Sequence, residues 1–107
     1  MSRADPGEVL AALGDPTRQQ IVTRLASGQA RTATELARDL PITRQGVAKH
    51  LATLRDARVV HREEVGRESR YRLDRDAIAA ARSWIADVEA TWDARLDRLA
   101  DLAERDD

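Results

Sequence analysis

Residues 32–57 read TATELARDLPITRQGVAKHLATLRDA, and the punctuation inside that stretch decides the fold. Thr32 and Glu35 stand three apart as a capping box, hydroxyl and carboxylate each satisfying a backbone donor of the other residue. Leu36, Ala37 and Leu40 follow as the buried face of a short helix, and Pro41, which cannot continue one, ends it. Thr43 then caps a second helix, whose inner stripe is Val47, Leu51 and Leu54 at i, i+4 and i+7. Two helices separated by Leu40-Pro41-Ile42-Thr43 form a helix-turn-helix, with Ile42 packing into the angle between them.

Working outward, Asp15-Pro16 opens an earlier helix, Asp as cap and Pro at the first helical position. Ile21, Val22 and Leu25 share its inner face, and Ser27-Gly28 stops it. Val9, Leu10 and Leu13 make a shorter stripe that ends at Gly14. Downstream of Ala57 the period changes. Residues 59–65 (VVHREEV) and 70–73 (RYRL) are β-compatible runs on either side of a four-residue loop, Gly66-Arg67-Glu68-Ser69. A hairpin directly after a helix-turn-helix is a wing. From Asp74 or Asp76 onward no Gly or Pro interrupts a helical pattern, with Ile78, Ala81, Ile85, Val88, Trp92, Leu96, Leu99 and Leu102 three or four apart. The expected fold is mainly α with a small β-hairpin wing. It occupies one domain over 1–107, with the helix-turn-helix at about 32–57, the wing at about 59–73 and a terminal helix at about 75–105.

Composition narrows the function. At 107 residues, 42% hydrophobic and 35% charged, the chain suits one small soluble core. It has no cysteine, hence no disulfide, thiolate metal site or cysteine nucleophile. The polar start MSRADPGE is not expected to be a signal peptide, and no apolar run reaches the roughly 20 residues that span a bilayer. A cytoplasmic protein is expected. The net charge of −1 hides an asymmetry: residues 1–40 sum to 0, 41–75 to +4 and 76–107 to −5. Screening beyond roughly 8 Å makes the local basic middle, not the total, what a polyanion feels.

Placed at 100° intervals, the inner stripe of the second helix leaves Gln45, Lys49 and Ala52 facing away from the core. Gly46 and Thr53 lie beside them, with Ala48 and His50 at the margins. This face is slim and has no acid before Asp56. Gln pairs with adenine, and Lys donates to guanine or phosphate, in a major groove roughly 12 Å wide. Gly46 costs about 1 kcal/mol against Ala within a helix, and close approach to a sugar-phosphate is the compensation we consider. Arg44 lies at the flank, where phosphate is the natural partner. Arg67 in the hairpin loop, with Arg70 just after it, suits a minor groove. His50 is read as packed or phosphate-bonded rather than metal-ligating, and His61 as a solvated strand residue.

The terminal helix extends past any core this short chain can build. Trp84, Ile85, Val88, Trp92, Leu96 and Leu99 then lack cover, and a second copy is the simplest way to supply it, together with the first helix.

The runs ALGDPTRQQIVTRLASG, TATELARDLPITRQGVAKHLATLRDARVV and GRESRYRL resemble the ArsR/SmtB family of bacterial winged-helix transcriptional regulators over about residues 8–73. The terminal helix fits that family's dimerising last helix. The resemblance implies that Thr43, Arg44, Gln45, Gly46, Lys49 and His50 lie on the major-groove helix, Arg67 at the wing tip and Arg18 near the phosphate backbone. The dimer interface expected from the uncovered stripe runs through Ile85, Val88, Trp92, Leu96 and Leu99. The ending W-x-x-RLDRL resembles a subgroup often encoded beside START-like proteins.

Three departures stand out. Thr34-Glu35-Leu36-Ala37 occupies the place of the metal sensors' Cys-x-Cys motif, and no histidine follows His61 to serve a site on the last helix, so no metal cofactor is expected. Arg58 replaces the Gly that usually follows the recognition helix; if that position has positive φ, Arg costs on the order of 1 kcal/mol. Ala48 replaces a common Ser.

The function expected is a sequence-specific DNA-binding regulator, a homodimeric repressor of a palindromic operator, bacterial and nucleoid-associated when bound. A small-molecule or protein effector is open. The alternative is a winged-helix module that binds protein and not DNA. No nucleophile–base pair supports an enzyme.

Overall fold

A computed structural model of the chain describes residues 4–105. Four helices, a hairpin and a fifth helix follow in order: α1 (Pro6–Ala12), α2 (Pro16–Leu25), α3 (Ala33–Arg38), α4 (Arg44–Asp56), β1 (Val60–Val65), β2 (Glu68–Leu73) and α5 (Arg75–Arg105).

Each start has the cap its sequence supplies. Asp5 and Asp15 cap α1 and α2, each followed by Pro, and their side chains accept from Gly7 N and Arg18 N. The capping box of α3 is complete: Thr32 Oγ1 accepts from Glu35 N at 3.1 Å, and Thr32 N donates to Glu35 Oε1 at 3.1 Å. Ile21, Leu25, Leu36, Val47, Leu51, Leu54 and Val59 form the centre of the core, with Val9 from α1 beside them. Ile42 packs against its edge from the turn.

The end of α4 explains Arg58. Arg58 N donates to Arg55 O at 3.0 Å and Val59 N to Leu54 O at 2.9 Å, the paired bonds of a Schellman motif. Its residue after the cap must be left-handed, and Arg58 has φ 65°, the one non-glycine positive φ among the described residues. Val59 and Leu54, both fully buried, close the motif with the apolar contact that usually accompanies it.

The wing is tighter than its sequence suggested. The strands pair antiparallel from Val60↔Leu73 to Val65↔Glu68, leaving a two-residue loop, Gly66-Arg67, instead of four. Gly66 takes φ +64° while Arg67 stays at negative φ, the pattern of a type II′ hairpin turn, so Glu68 and Ser69 are released to pair. A bridge missed in the sequence ties the wing to the body. Arg31 N donates to Tyr71 O at 3.0 Å and Tyr71 N to Arg31 O at 2.8 Å.

Helix α5 packs its first turns on α1, burying Ala77 and Ala81. At 31 residues it is about 46 Å long, and it stretches the molecule to 71 × 34 × 20 Å. The radius of gyration is 19.0 Å, against about 13 Å for a compact chain of this length.

Candidate nucleic-acid interface

The core stripe of α4 fixes what the helix shows outside. With Val47, Leu51 and Leu54 fully buried, Gln45, Lys49, Ala52 and Thr53 are exposed together on the far side, with Arg44 and Ala48 beside them. Thr43 carries the first turn, its Oγ1 accepting from Gly46 N at 3.0 Å. A Cβ built on Gly46 lies 3.4 Å from Thr43 Oγ1 and 3.7 Å from Ile42 Cβ, which is ordinary contact. No crowding within the chain therefore requires glycine there.

Between this helix and the wing runs an open cleft of about 620 Å³. Arg38 of α3, Arg44 of α4 and Arg62 and Arg67 of the wing line it, with Glu35 and Glu68 as the acidic members. Arg38 was not singled out by the sequence reading. Its signal was available, because a helical wheel places it about 200° from Leu36 and so on the outer side of α3. Among the described residues Arg38, Arg44, Lys49 and Arg67 form no ion pair. Arg38, Arg44 and Arg67 line the cleft, and Lys49 lies outside its lining on the exposed face of α4; unneutralised cations so placed suit a polyanion.

Other candidate residues are engaged by the protein itself. Arg70 donates to Ala30 O at 3.1 Å and pairs with Glu68 at 2.6 Å and Glu35 at 3.4 Å. With Arg72, which donates to Gly28 O at 2.7 Å, it pins the base of the wing to the α2–α3 loop. Neighbouring Arg62 is held by Glu64 and Ser69. Arg18 and His50 meet each other: Arg18 Nε donates to Ala12 O at 2.6 Å, and its Nη1 lies 3.4 Å from His50 Nδ1. Asp15 completes the group, with Oδ2 4.0 Å from His50 Nδ1. The Arg18 backbone N–H holds the Asp15 carboxyl below the usual carboxylate range; partial burial opposes this, and the Arg18 charge assists.

On α5 the buried line of Ala77 and Ala81 continues as an exposed one. Ile85, Val88, Trp92, Leu96 and Leu99 lie on the same azimuth, each 44–56% exposed, with Trp84 and Leu102 at its border. Among the described residues no helix is long and apolar enough to cross a membrane, and no group of three His, Cys, Asp or Glu side chains could hold a metal ion.

With this geometry in place, comparison with known proteins identifies the family. A family model for a helix-turn-helix domain matches residues 13–63. The HTH-type transcriptional regulator Rv2034 of Mycobacterium tuberculosis is 40% identical over 99 residues, covering 92% of this chain and 89% of that protein. The solved structure of an ArsR-like transcriptional regulator from Rhodococcus sp. RHA1 superposes with a TM-score of 0.81 at 37% identity, covering 92% of each chain. The homodimeric winged helix-turn-helix DNA-binding domain of Mb0332 from Mycobacterium bovis, a possible ArsR-family regulator, matches with a TM-score of 0.61 at 25% identity over 86% of this chain and 82% of that one. A recognition helix over a buried stripe, an arginine-lined wing cleft and these likenesses lead to one conclusion: the chain belongs to the ArsR/SmtB family of winged helix-turn-helix, DNA-binding transcriptional regulators.

Proposed function

We propose that the chain acts as a homodimeric repressor that lays α4 in the major groove of a palindromic operator and sets the wing tip on the flanking strand. The observation that carries this reading is the free cationic surface around α4. Arg44, Lys49 and Arg67 have no acidic partner among the described residues, while Gln45 stands exposed between the first two. In this docking Gln45 and Lys49 meet base edges, and Arg44 and Arg67 meet phosphate and the minor groove. A dimer is the economical cover for the exposed stripe on α5, because twofold symmetry lets one apolar surface bury itself against its copy. The homodimeric relative from M. bovis supports the same assembly. Two recognition helices about 34 Å apart fit successive major grooves, and a dimer across them blocks the duplex that a polymerase needs. Such a protein works in the bacterial cytoplasm, at the nucleoid when bound.

The test is binding to duplex DNA taken from upstream of the coding sequence, for the wild type and for Arg44→Ala, Lys49→Ala and Arg67→Ala combined. The combined variant is expected to stay folded and dimeric, to lose affinity, and to show a shallower dependence on salt. Equal affinity and equal salt dependence for the two proteins refute this docking.

A further inference from the structure

We propose that Arg18 is a positioning residue for DNA reading: it braces α4 against the carbonyl end of α1 and does not contact phosphate. The inference rests on the DNA-binding role proposed above, and it reverses the part that the family resemblance implied for Arg18.

Three observations carry it. Two of the three guanidinium nitrogens are engaged, since Nε donates to Ala12 O at 2.6 Å and Nη1 faces His50 Nδ1 at 3.4 Å. The planar fork is rigid, so satisfying the α1 carbonyl along one edge aims the other at α4. Arg18 carries donors only, so in this contact Nη1 donates and His50 Nδ1 accepts. The surroundings are also wrong for phosphate. Arg18 lies in the crevice between α1 and α4, where Glu8 and Asp56 line the wall, and the Asp15 carboxylate accepts from its backbone N–H and lies 4.0 Å from His50 Nδ1. Three carboxylates repel the backbone that the cleft beyond, with Arg38, Arg44 and Arg67, attracts. Lastly, the contact sits at a useful place. His50 follows Lys49 on α4, and α1 packs on α5, the helix with the uncovered apolar stripe. The brace thus links the dimerising side of the molecule to the angle at which Gln45 and Lys49 meet the bases.

The test measures affinity over a salt series for a duplex that the wild type selects from a random pool, and for a scrambled duplex. Arg18→Ala is expected to weaken binding to the selected duplex about tenfold and to change binding to the scrambled one little. The slope of log affinity against log salt should match the wild type, whereas Arg44→Ala flattens it by about 0.9, one phosphate contact. Arg18→Lys is expected to behave like Arg18→Ala, because an ammonium cannot span both acceptors. A flattened slope for Arg18→Ala, restored by Arg18→Lys, overturns the proposal. Should neither wild type nor Arg44→Ala bind any duplex, the DNA-binding reading itself fails, and the brace is then judged by thermal unfolding. Arg18→Ala and His50→Ala are each expected to lower the Tm, and together to lower it by less than the sum of the two. Additive shifts overturn the brace whatever happens with DNA.

Discussion

Replacing Arg58 with Gly is expected to stabilise the protein, and the geometry sets the size of the gain. Arg58 holds φ 65° because the Schellman bonds from Arg58 N to Arg55 O and from Val59 N to Leu54 O demand it. A left-handed conformation costs an L-residue about 1–2 kcal/mol, which glycine does not incur. Glycine has more freedom to lose from the unfolded chain, about 0.5–1 kcal/mol. The Arg58 side chain also has an interaction of its own, worth a few tenths of a kcal/mol at an exposed site. The net expectation is a gain of roughly 0.5 kcal/mol, or about 2–4 °C in Tm at this chain length. The control is Arg58→Ala, which loses the side-chain interaction but keeps the backbone cost and so falls at or below the wild type. Thermal unfolding followed by circular dichroism, at one fixed protein concentration because dimers gain stability with concentration, orders the three proteins. The reasoning is refuted if Arg58→Gly melts at or below Arg58→Ala.

Three further outcomes are expected. Leu96→Asp, in the middle of the exposed stripe on α5, should raise the dimer dissociation constant at least a hundredfold in sedimentation equilibrium. A large apolar side chain is worth about 1.5–3 kcal/mol when buried, and symmetry counts it twice. Thr32→Ala should cost about 1 kcal/mol in urea unfolding by opening the capping box. The same box sets an acid limit: the Thr32 backbone and hydroxyl hold the Glu35 carboxyl below its ordinary 4.5. The folded state therefore favours the charged form, and that contribution is full above pH 4.5 and lost as the pH falls below it, more steeply in the wild type than in Thr32→Ala. Gly46→Ala should raise stability by up to about 1 kcal/mol, since a Cβ fits beside Thr43 and Ile42. Its affinity for DNA should fall, and unchanged affinity removes close backbone approach as the reason for the glycine.

Much of the fold was legible because its boundaries are written in local chemistry. Thr32 with Glu35, Asp15 with Pro16, and Thr43 after Pro41 each specify a helix start through contacts within four residues, and the structure shows those caps. The unbroken pattern after Asp74 likewise announced α5. The wing loop was misjudged because Glu68 and Ser69 are polar residues that read as loop. Their pairing with Val65 and Glu64 is decided by the turn conformation at Gly66, which composition does not reveal. The bridge between Arg31 and Tyr71 was invisible for a related reason: residues 40 apart in sequence meet only in the folded chain. The candidate site divides the same way. Arg44, Gln45, Lys49 and Arg67 project from elements whose periodicity exposes them. Arg18, His50 and Arg70 look equally basic or polar in sequence but find partners across the fold, at Ala12, at each other and at Ala30. Charge is read from sequence, whereas its neutralisation is a tertiary property.

The central claim is that two copies present their α4 helices and wing tips to one duplex. Selection of bound duplexes from a random pool by the purified wild-type chain tests it most directly. The account predicts enrichment of an inverted repeat with half-site centres about 10 base pairs apart, or a multiple of that turn, protected by two chains per duplex. Enrichment of a single unrepeated site bound by one chain, or no enrichment at all at low salt, contradicts it.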